Sequence, residues 1–366
     1  MDLQEQEVVA MSHSKEKPLI AGLVVAVIAA IIGFALFFTS GVPAGAAAKV
    51  NDSYVTEERV AEWIAQYRSV YGLTDDDTFA STLKSQNMTV VSYRQNAIDQ
   101  IILSDLIEAR ANELGLEATD EEVQAKLESV SGQFASDDES LWASTLESMG
   151  VTEDELKVRY KADILQSKVE EADVPLRDAS DEELLAYVQS YLAGTTQKHV
   201  CRIVFEGDSM STKAEKCMAE LKGMRDAGTF DDAAFAKLAK KYSDEDDVAE
   251  TGGALAWTGA GVIGDEITEV IEDMDAGEFS ELTTIEADDG ALEIIYVDET
   301  YTFPDASNIA SVDAIGVPDE LLIAVKSAAA QVAWQSDCSD YLAKMLAGAK
   351  ITYYPVPDDA AYNVEL

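Results

Sequence analysis

His13 and His199 are the only histidines in this 366-residue chain, and Cys201, Cys217 and Cys338 are its only cysteines. Imidazole is the one side chain that exchanges a proton near neutral pH without help from its surroundings. Any such chemistry here is therefore confined to two positions. His199 and Cys201 alternate within Lys198-His-Val-Cys-Arg-Ile-Val-Phe205, a β-strand pattern that sets both on one face. Three cysteines are too few for a disulfide framework. Their spacing from the histidines lacks a zinc signature, so neither a structural nor a catalytic zinc site is expected, and no cofactor is implied. Two states are open to Cys201 and Cys217: a disulfide stapling strand to helix in an oxidising setting, or a pair of thiols. Cys338 has no obvious partner.

The elements around His199 follow a definite order. After the strand come two short helices, Thr212–Ala227 and Asp232–Tyr242, and an acidic loop ending in Gly252-Gly-Ala-Leu-Ala-Trp257. A segment with apolar Val262, Ile263 and Ile267 is next. Beyond Gly277-Glu-Phe-Ser280 the chain closes with strand-like runs at Leu282–Ile285 and Ala291–Val297. Lys198–Asp298 thus reads β, α, α, glycine turn, short helix, β, β.

Bulk properties bound the rest. This length suits two domains, and 47% hydrophobic residues suffice for packed cores. The formal net charge of -44 sets the chain against nucleic acid, whose phosphates it would repel. The acidity fits a solvated, self-repelling surface; selection of basic clients and adaptation to salt are alternative readings.

Residues 1–17 are a polar, mixed-charge tail. Pro18–Phe38 carries no charge, and residues 18–40 are long enough to cross a hydrocarbon core of roughly 30 Å as a helix. Lys15 and Lys17 precede the span and no cation follows until Lys49, which places the N-terminus in the cytoplasm and the bulk of the chain outside it. A cleaved signal peptide is the rival, because Ala44-Gly-Ala-Ala-Ala48 offers the small residues a signal peptidase accepts. Either way the chain from Lys49 onward is exported. Residues 41–48 read as a small-residue linker.

Val50-Asn-Asp-Ser-Tyr-Val-Thr56 reads as a strand pair about an Asn-Asp turn. Thr56 is placed to cap a helix bearing Val60, Trp63, Ile64, Tyr67 and Val70 on one face. A long helix spans Val90–Leu114 and stops at Gly115. Three capping boxes follow, Thr119 with Glu122, Thr152 with Glu155 and Ser180 with Glu183. They start helices at Asp120–Val130, Glu153–Glu171 and Asp181–Leu192. Thr300–Gly316 is a loop. A last long helix opens at Val317-Pro318 and ends at Gly348, ahead of a strand at Ile351–Tyr354.

Several stretches then carry a family resemblance. The His199 strand, Phe235-Ala-Lys-Leu-Ala-Lys-Lys-Tyr-Ser-Asp244, Gly252-Gly-Ala-Leu-Ala-Trp257 and Gly277-Glu-Phe-Ser280 together resemble a parvulin-type (PpiC, or rotamase) peptidyl-prolyl isomerase. The resemblance implies a proline pocket built from Leu255, Ile263 and Ile267. It also implies a polar site of two facing histidines plus a Cys or Asp after the Tyr-Ser helix. His199 keeps the first histidine position, Glu293 stands at the second, and Glu245 or Asp246 takes the third. A histidine ringed by carboxylates would stay protonated.

Residues 50–192 resemble the N-terminal chaperone domain of SurA and PrsA foldases, through Val50-Asn-Asp, Gly115-Leu-Glu-Ala-Thr-Asp-Glu-Glu-Val123 and Gly150-Val-Thr-Glu-Asp-Glu-Leu156. The resemblance implies an α+β protein in which residues 49–192 plus 306–366 form the chaperone domain. A parvulin-like domain with an antiparallel sheet, residues 196–302, is inserted in it. The implied function is a membrane-anchored foldase that binds unfolded exported polypeptides and isomerises X-Pro bonds. The alternative is a holdase that grips extended segments without catalysis.

Overall fold

A computed structural model describes residues 43–365 apart from 136–138, 208, 261–262 and 286–290. The tail 1–17 and the span 18–40 expected to cross a membrane lie outside the described residues. Among the described residues no helix is long and apolar enough to do so. In chain order the elements are β1 (Ala46–Val50), β2 (Ser53–Thr56), α1 (Glu57–Val70), α2 (Asp76–Ser85), α3 (Val90–Leu114), α4 (Asp120–Ala135), α5 (Glu139–Met149) and α6 (Glu153–Asp173). Then come α7 (Asp181–Tyr187), β3 (Thr196–Phe205), α8 (Met210–Asp226), α9 (Asp232–Tyr242), α10 (Asp246–Thr251), β4 (Ala254–Trp257) and α11 (Asp265–Ile271). The chain ends with β5 (Glu278–Phe279), β6 (Thr283–Ile285), β7 (Ala291–Thr302), α12 (Asp319–Gly348) and β8 (Ile351–Tyr353). They divide into two units, one of residues up to Pro175 with Asp337–Leu366, the other Leu176–Ser336.

The first unit is mainly helical, and its helices start where local chemistry tells them to. Thr56 accepts from the Arg59 amide, and the Thr152–Glu155 and Ser180–Glu183 pairs close reciprocal capping boxes at α6 and, in the second unit, α7. Thr119 and Glu122 bond each other's backbone amides at α4 in the same way. Gly115, at φ 69°, ends α3 in the left-handed conformation that a side chain would resist. Two helices were not anticipated: α2, capped by Asp75, and α5. The sequence reading of 41–48 as linker is corrected in part, because Ala46–Val50 is a strand. It pairs with β2 on one side and β8 on the other, and Ala47 and Ala48 are fully buried. Leu103, Ile107, Leu165 and Val169 form a core against which Tyr341, Leu342 and Met345 of α12 pack.

The second unit is built on an antiparallel sheet in the order β4-β3-β7-β5, with β6 also on β7. Strand alternation sorts β3 and β7 onto two faces. Cys201, Ile203, Phe205, Ile294 and Tyr296 pack against Cys217 and Leu221 of α8 and Phe235 and Leu238 of α9. Val200, Ile295 and Val297 face the other way, onto Ile267 and Ile271 of α11. The β3–β7 register runs His199↔Glu299 and then Val200↔Val297, so Asp298 is an extra residue, a β-bulge. Part of the expected acidic loop is the short helix α10. The disulfide left open between Cys201 and Cys217 is not formed: both are buried free thiols, as is Cys338.

Candidate functional site

On β3, Lys198, Val200 and Arg202 alternate onto the face that meets α11. The Lys198 ammonium donates to the carbonyls of Ile271 (2.6 Å), Glu272 (2.8 Å) and Met274 (2.7 Å). A cation there satisfies carbonyls left open at the helix C-terminus and fixes α11 to the sheet. Ile267 on α11 is thereby held in one apolar cluster with Leu255 of β4, Ile263, Val200, Ile295 and Val297. Ile267 is buried, whereas Leu255 and Ile263 are half-buried. The three residues read from the sequence as a proline pocket are thus gathered together.

Beside this cluster on the same strands stands an ion network. Arg202 Nη1 donates to Glu293 Oε1 at 3.0 Å, and its Nη2 donates to Glu245 Oε2 at 3.1 Å. Glu293 sits on β7 and is fully buried; Glu245 immediately precedes α10. The glycine pair positions the arginine. The Arg202 amide donates to the Gly253 carbonyl at 2.7 Å, and Gly253 has φ 94°. A Cβ on Gly253 would lie 2.7 Å from the Arg202 carbonyl oxygen. No side chain fits there without moving β3.

Glu245 and Glu293 therefore come together, but around Arg202 rather than His199. The structure corrects the expected grouping with His199, and strand geometry gives the reason. Glu293 pairs in register with Val204 and His199 with Glu299. The five-residue offset is about 17 Å along the strand at roughly 3.3 Å per residue. His199 also sits an odd number of residues from Arg202, which puts it on the opposite face. Its Nδ1 is 2.6 Å from Asp298 Oδ1, its Nε2 is 3.5 Å from Glu320 Oε2, and its ring lies 5.4 Å from that of Trp257. The Asp298 bond raises the His199 pKa, against the opposing effect of burial. Carboxylates do hold it toward its charged form, but they are Asp298 and Glu320. Arg202 was missed. Its signal was one positive charge inside the apolar run of β3 and one negative charge inside that of β7.

This arrangement offers no activated nucleophile. It offers a partly exposed apolar cluster and, beside it, a guanidinium held by two carboxylates.

An antiparallel sheet with helices on both faces, and an apolar cluster beside polar groups on its central strands, fit a parvulin-type isomerase domain. Residues 199–299 match the family described as "PPIC-type PPIASE domain", and residues 10–170 match "SurA-like N-terminal domain". The chain thus belongs with proteins that carry a parvulin-type domain behind a SurA-like N-terminal domain. "Foldase protein PrsA" of Geobacillus kaustophilus (strain HTA426) is 26% identical over 184 residues, 50% of this chain and 57% of that protein. Its namesake in Geobacillus sp. (strain WCH70) is 24% identical over 226 residues, 60% of this chain and 73% of that protein. The match therefore spans little more than half the length of the first relative. Among solved structures, PrsA from Bacillus subtilis is 19% identical, with 74% of this chain and 89% of that one covered and a TM-score of 0.35.

Proposed function

We propose that the protein is a membrane-anchored, extracytoplasmic foldase that binds unfolded exported polypeptides and isomerises their X-Pro bonds. The supporting observation is the gathering of Leu255, Ile263 and Ile267 into one apolar cluster near Arg202, Glu293 and Glu245. Rotation about an X-Pro bond meets a barrier of about 18–20 kcal/mol, because the twisted amide loses its resonance. A catalyst needs only to hold the twisted form better than the planar one. An apolar hollow takes the proline ring and strips water from the preceding carbonyl. Arg202, already fixed by its two carboxylates, is the donor near which that carbonyl would be held. The helical segment 49–192 with 306–366 is assigned the task of holding clients, and the uncharged span 18–40 that of anchoring.

A second reading, a holdase without catalysis, is favoured by one observation. Arg202 spends donors on Glu293, which stands where the family resemblance puts its second histidine, and on Glu245. A protease-coupled assay with a proline peptide on the full-length protein separates the two. Catalysis above the buffer rate that drops in Leu255→Ala and Ile267→Ala supports the isomerase. A buffer-level rate with retained suppression of client aggregation supports the holdase. Membrane association that resists alkaline extraction tests the anchor.

A further inference from the structure

On the sheet face opposite the proposed proline pocket, His199, Cys201 and Asp298 converge. One ligand-type atom from each lies within 4.8 Å of the others. Two features of β3 and β7 bring this about. Alternation puts His199 and Cys201 on one side, and Asp298, the bulge residue of β7, brings its carboxylate to 2.6 Å from His199 Nδ1. We propose that His199 Nδ1, Cys201 Sγ and an Asp298 carboxylate oxygen form a binding site for a borderline-soft divalent cation of the zinc class.

The donor set argues for this class. Nitrogen, sulfur and oxygen together suit zinc rather than calcium or magnesium, which take oxygen ligands. Bonds of about 2.0–2.3 Å in a tetrahedron set ligand atoms roughly 3.3–3.7 Å apart. The observed separations bracket that range: His199 Nδ1 and Asp298 Oδ1 are 2.6 Å apart, and the three ligand atoms lie within 4.8 Å of one another. Binding needs the first pair to part and the set to even out. Charge balances as well: one thiolate and one carboxylate offset a dication, leaving a neutral site where burial penalises net charge. On binding, the Cys201 thiol proton and any proton on His199 Nδ1 leave to solvent, as metal ligation requires.

His199 is also oriented as metal-binding histidines usually are. With Nδ1 turned to Asp298, Nε2 points to Glu320 Oε2 at 3.5 Å. A carboxylate near the far nitrogen would favour the tautomer that leaves Nδ1 free to ligate. Trp257, whose ring lies 5.4 Å from the imidazole, walls the site and is itself buried.

The test uses metal-free full-length protein titrated with Zn²⁺ alone in competition with a chromophoric chelator, and with Co²⁺ read by absorption. One ion per chain and a thiolate-to-cobalt charge-transfer band are expected. His199→Ala, Cys201→Ser and Asp298→Asn each lower the affinity by about 100-fold or more, while Cys217→Ser and Cys338→Ser leave it unchanged. Glu320→Gln lowers it about tenfold, the low end for a partner of a ligating histidine. Absence of stoichiometric binding overturns the proposal. So does a cobalt complex of the unmodified protein without a thiolate band, a result that needs no variant to fold. Binding that survives His199→Ala or Cys201→Ser in variants with unchanged circular dichroism overturns it too.

Discussion

Arg202 on β3 and Glu293 on β7 face each other across the two central strands, joined by a 3.0 Å bond from Nη1 to Oε1, with Glu293 wholly out of water. A buried ion pair is costly to break from one side, because the remaining charge loses its compensation. Arg202→Met should therefore destabilise the protein by about 3–5 kcal/mol. The double change Arg202→Met with Glu293→Leu should recover most of that loss, since apolar side chains of similar volume often replace such a pair at little or no cost. Denaturant midpoints of the two variants decide the matter. A double variant as unstable as the single one would mean that the loss comes from packing rather than from a stranded carboxylate.

Gly253 offers an independent handle on the same site. Its φ of 94° lies in the region that side chains avoid, and an added Cβ would meet the Arg202 carbonyl at 2.7 Å and the Ala239 side chain at 3.1 Å. Gly253→Ala should cost about 1–3 kcal/mol from the backbone alone. It should also shift β3 enough to disturb the Arg202 network. Gly264→Ala is the control, as nothing lies within 4 Å of a Cβ there and its φ is ordinary. Equal melting temperatures for the two variants would contradict the role assigned to Gly253.

What could be read from the sequence divides along a physical line. Caps at Thr56, Thr119, Thr152 and Ser180 depend on residues three apart, and the helix stop at Gly115 on a single residue, so each was visible in the chain itself. The grouping of Leu255, Ile263 and Ile267 was visible only through family resemblance, since they carry no local sign of convergence. The polar site was misgrouped because strand register is not a local property. Nothing in Lys198–Phe205 announces the bulge at Asp298, or which residue of β3 will oppose Glu293. With the register unknown, Glu245 and Glu293 were grouped with the conspicuous His199, whereas they bond the inconspicuous Arg202. The same blindness hid the approach of Asp298 to His199, ninety-nine residues apart. The helix α2 was overlooked although Asp75 and Thr78 carry its cap signal.

Asp173 supplies a pH-dependent contribution in the first unit. Its carboxylate accepts from Arg110 Nε (2.7 Å) and Nη2 (2.8 Å) and from the Tyr341 hydroxyl (2.6 Å), tying α6 to α3 and to the later part of α12. The Arg110 bonds, then that of Tyr341, lower its pKa from 3.8 to about 2. A depressed folded-state pKa means the contribution is full above the unfolded value and lost as pH falls through the folded one. The stability difference between the parent protein and Asp173→Asn should thus be constant above pH 3.8 and shrink toward about pH 2. Urea unfolding of both proteins across that window measures it. A difference that stays flat down to the acid limit would show that Asp173 gains nothing from Arg110 when folded.

Arg94 is the residue on which both ends of the described chain meet. Its guanidinium donates to Glu57 Oε2 (2.6 Å), the Tyr362 hydroxyl (2.9 Å), the Tyr354 carbonyl (3.0 Å) and the Ala47 carbonyl (3.3 Å). It is 3% exposed, and Tyr362 in turn donates to Glu57. One side chain of α3 thus joins β1, the start of α1 and the segment after β8. Arg94→Met leaves Glu57 without its cation and two carbonyls without that donor, and should cost about 3–5 kcal/mol. Truncation after Asp359 removes Tyr362 yet keeps the Arg94–Glu57 pair, and should cost about 1–3 kcal/mol, in the range for stranding a buried hydrogen-bonding group. If the two losses share the network, the truncated Arg94→Met variant loses less than the sum of the separate effects. Strictly additive losses would instead mean that the C-terminal segment is held by its apolar contacts with the helical core, and not through Arg94.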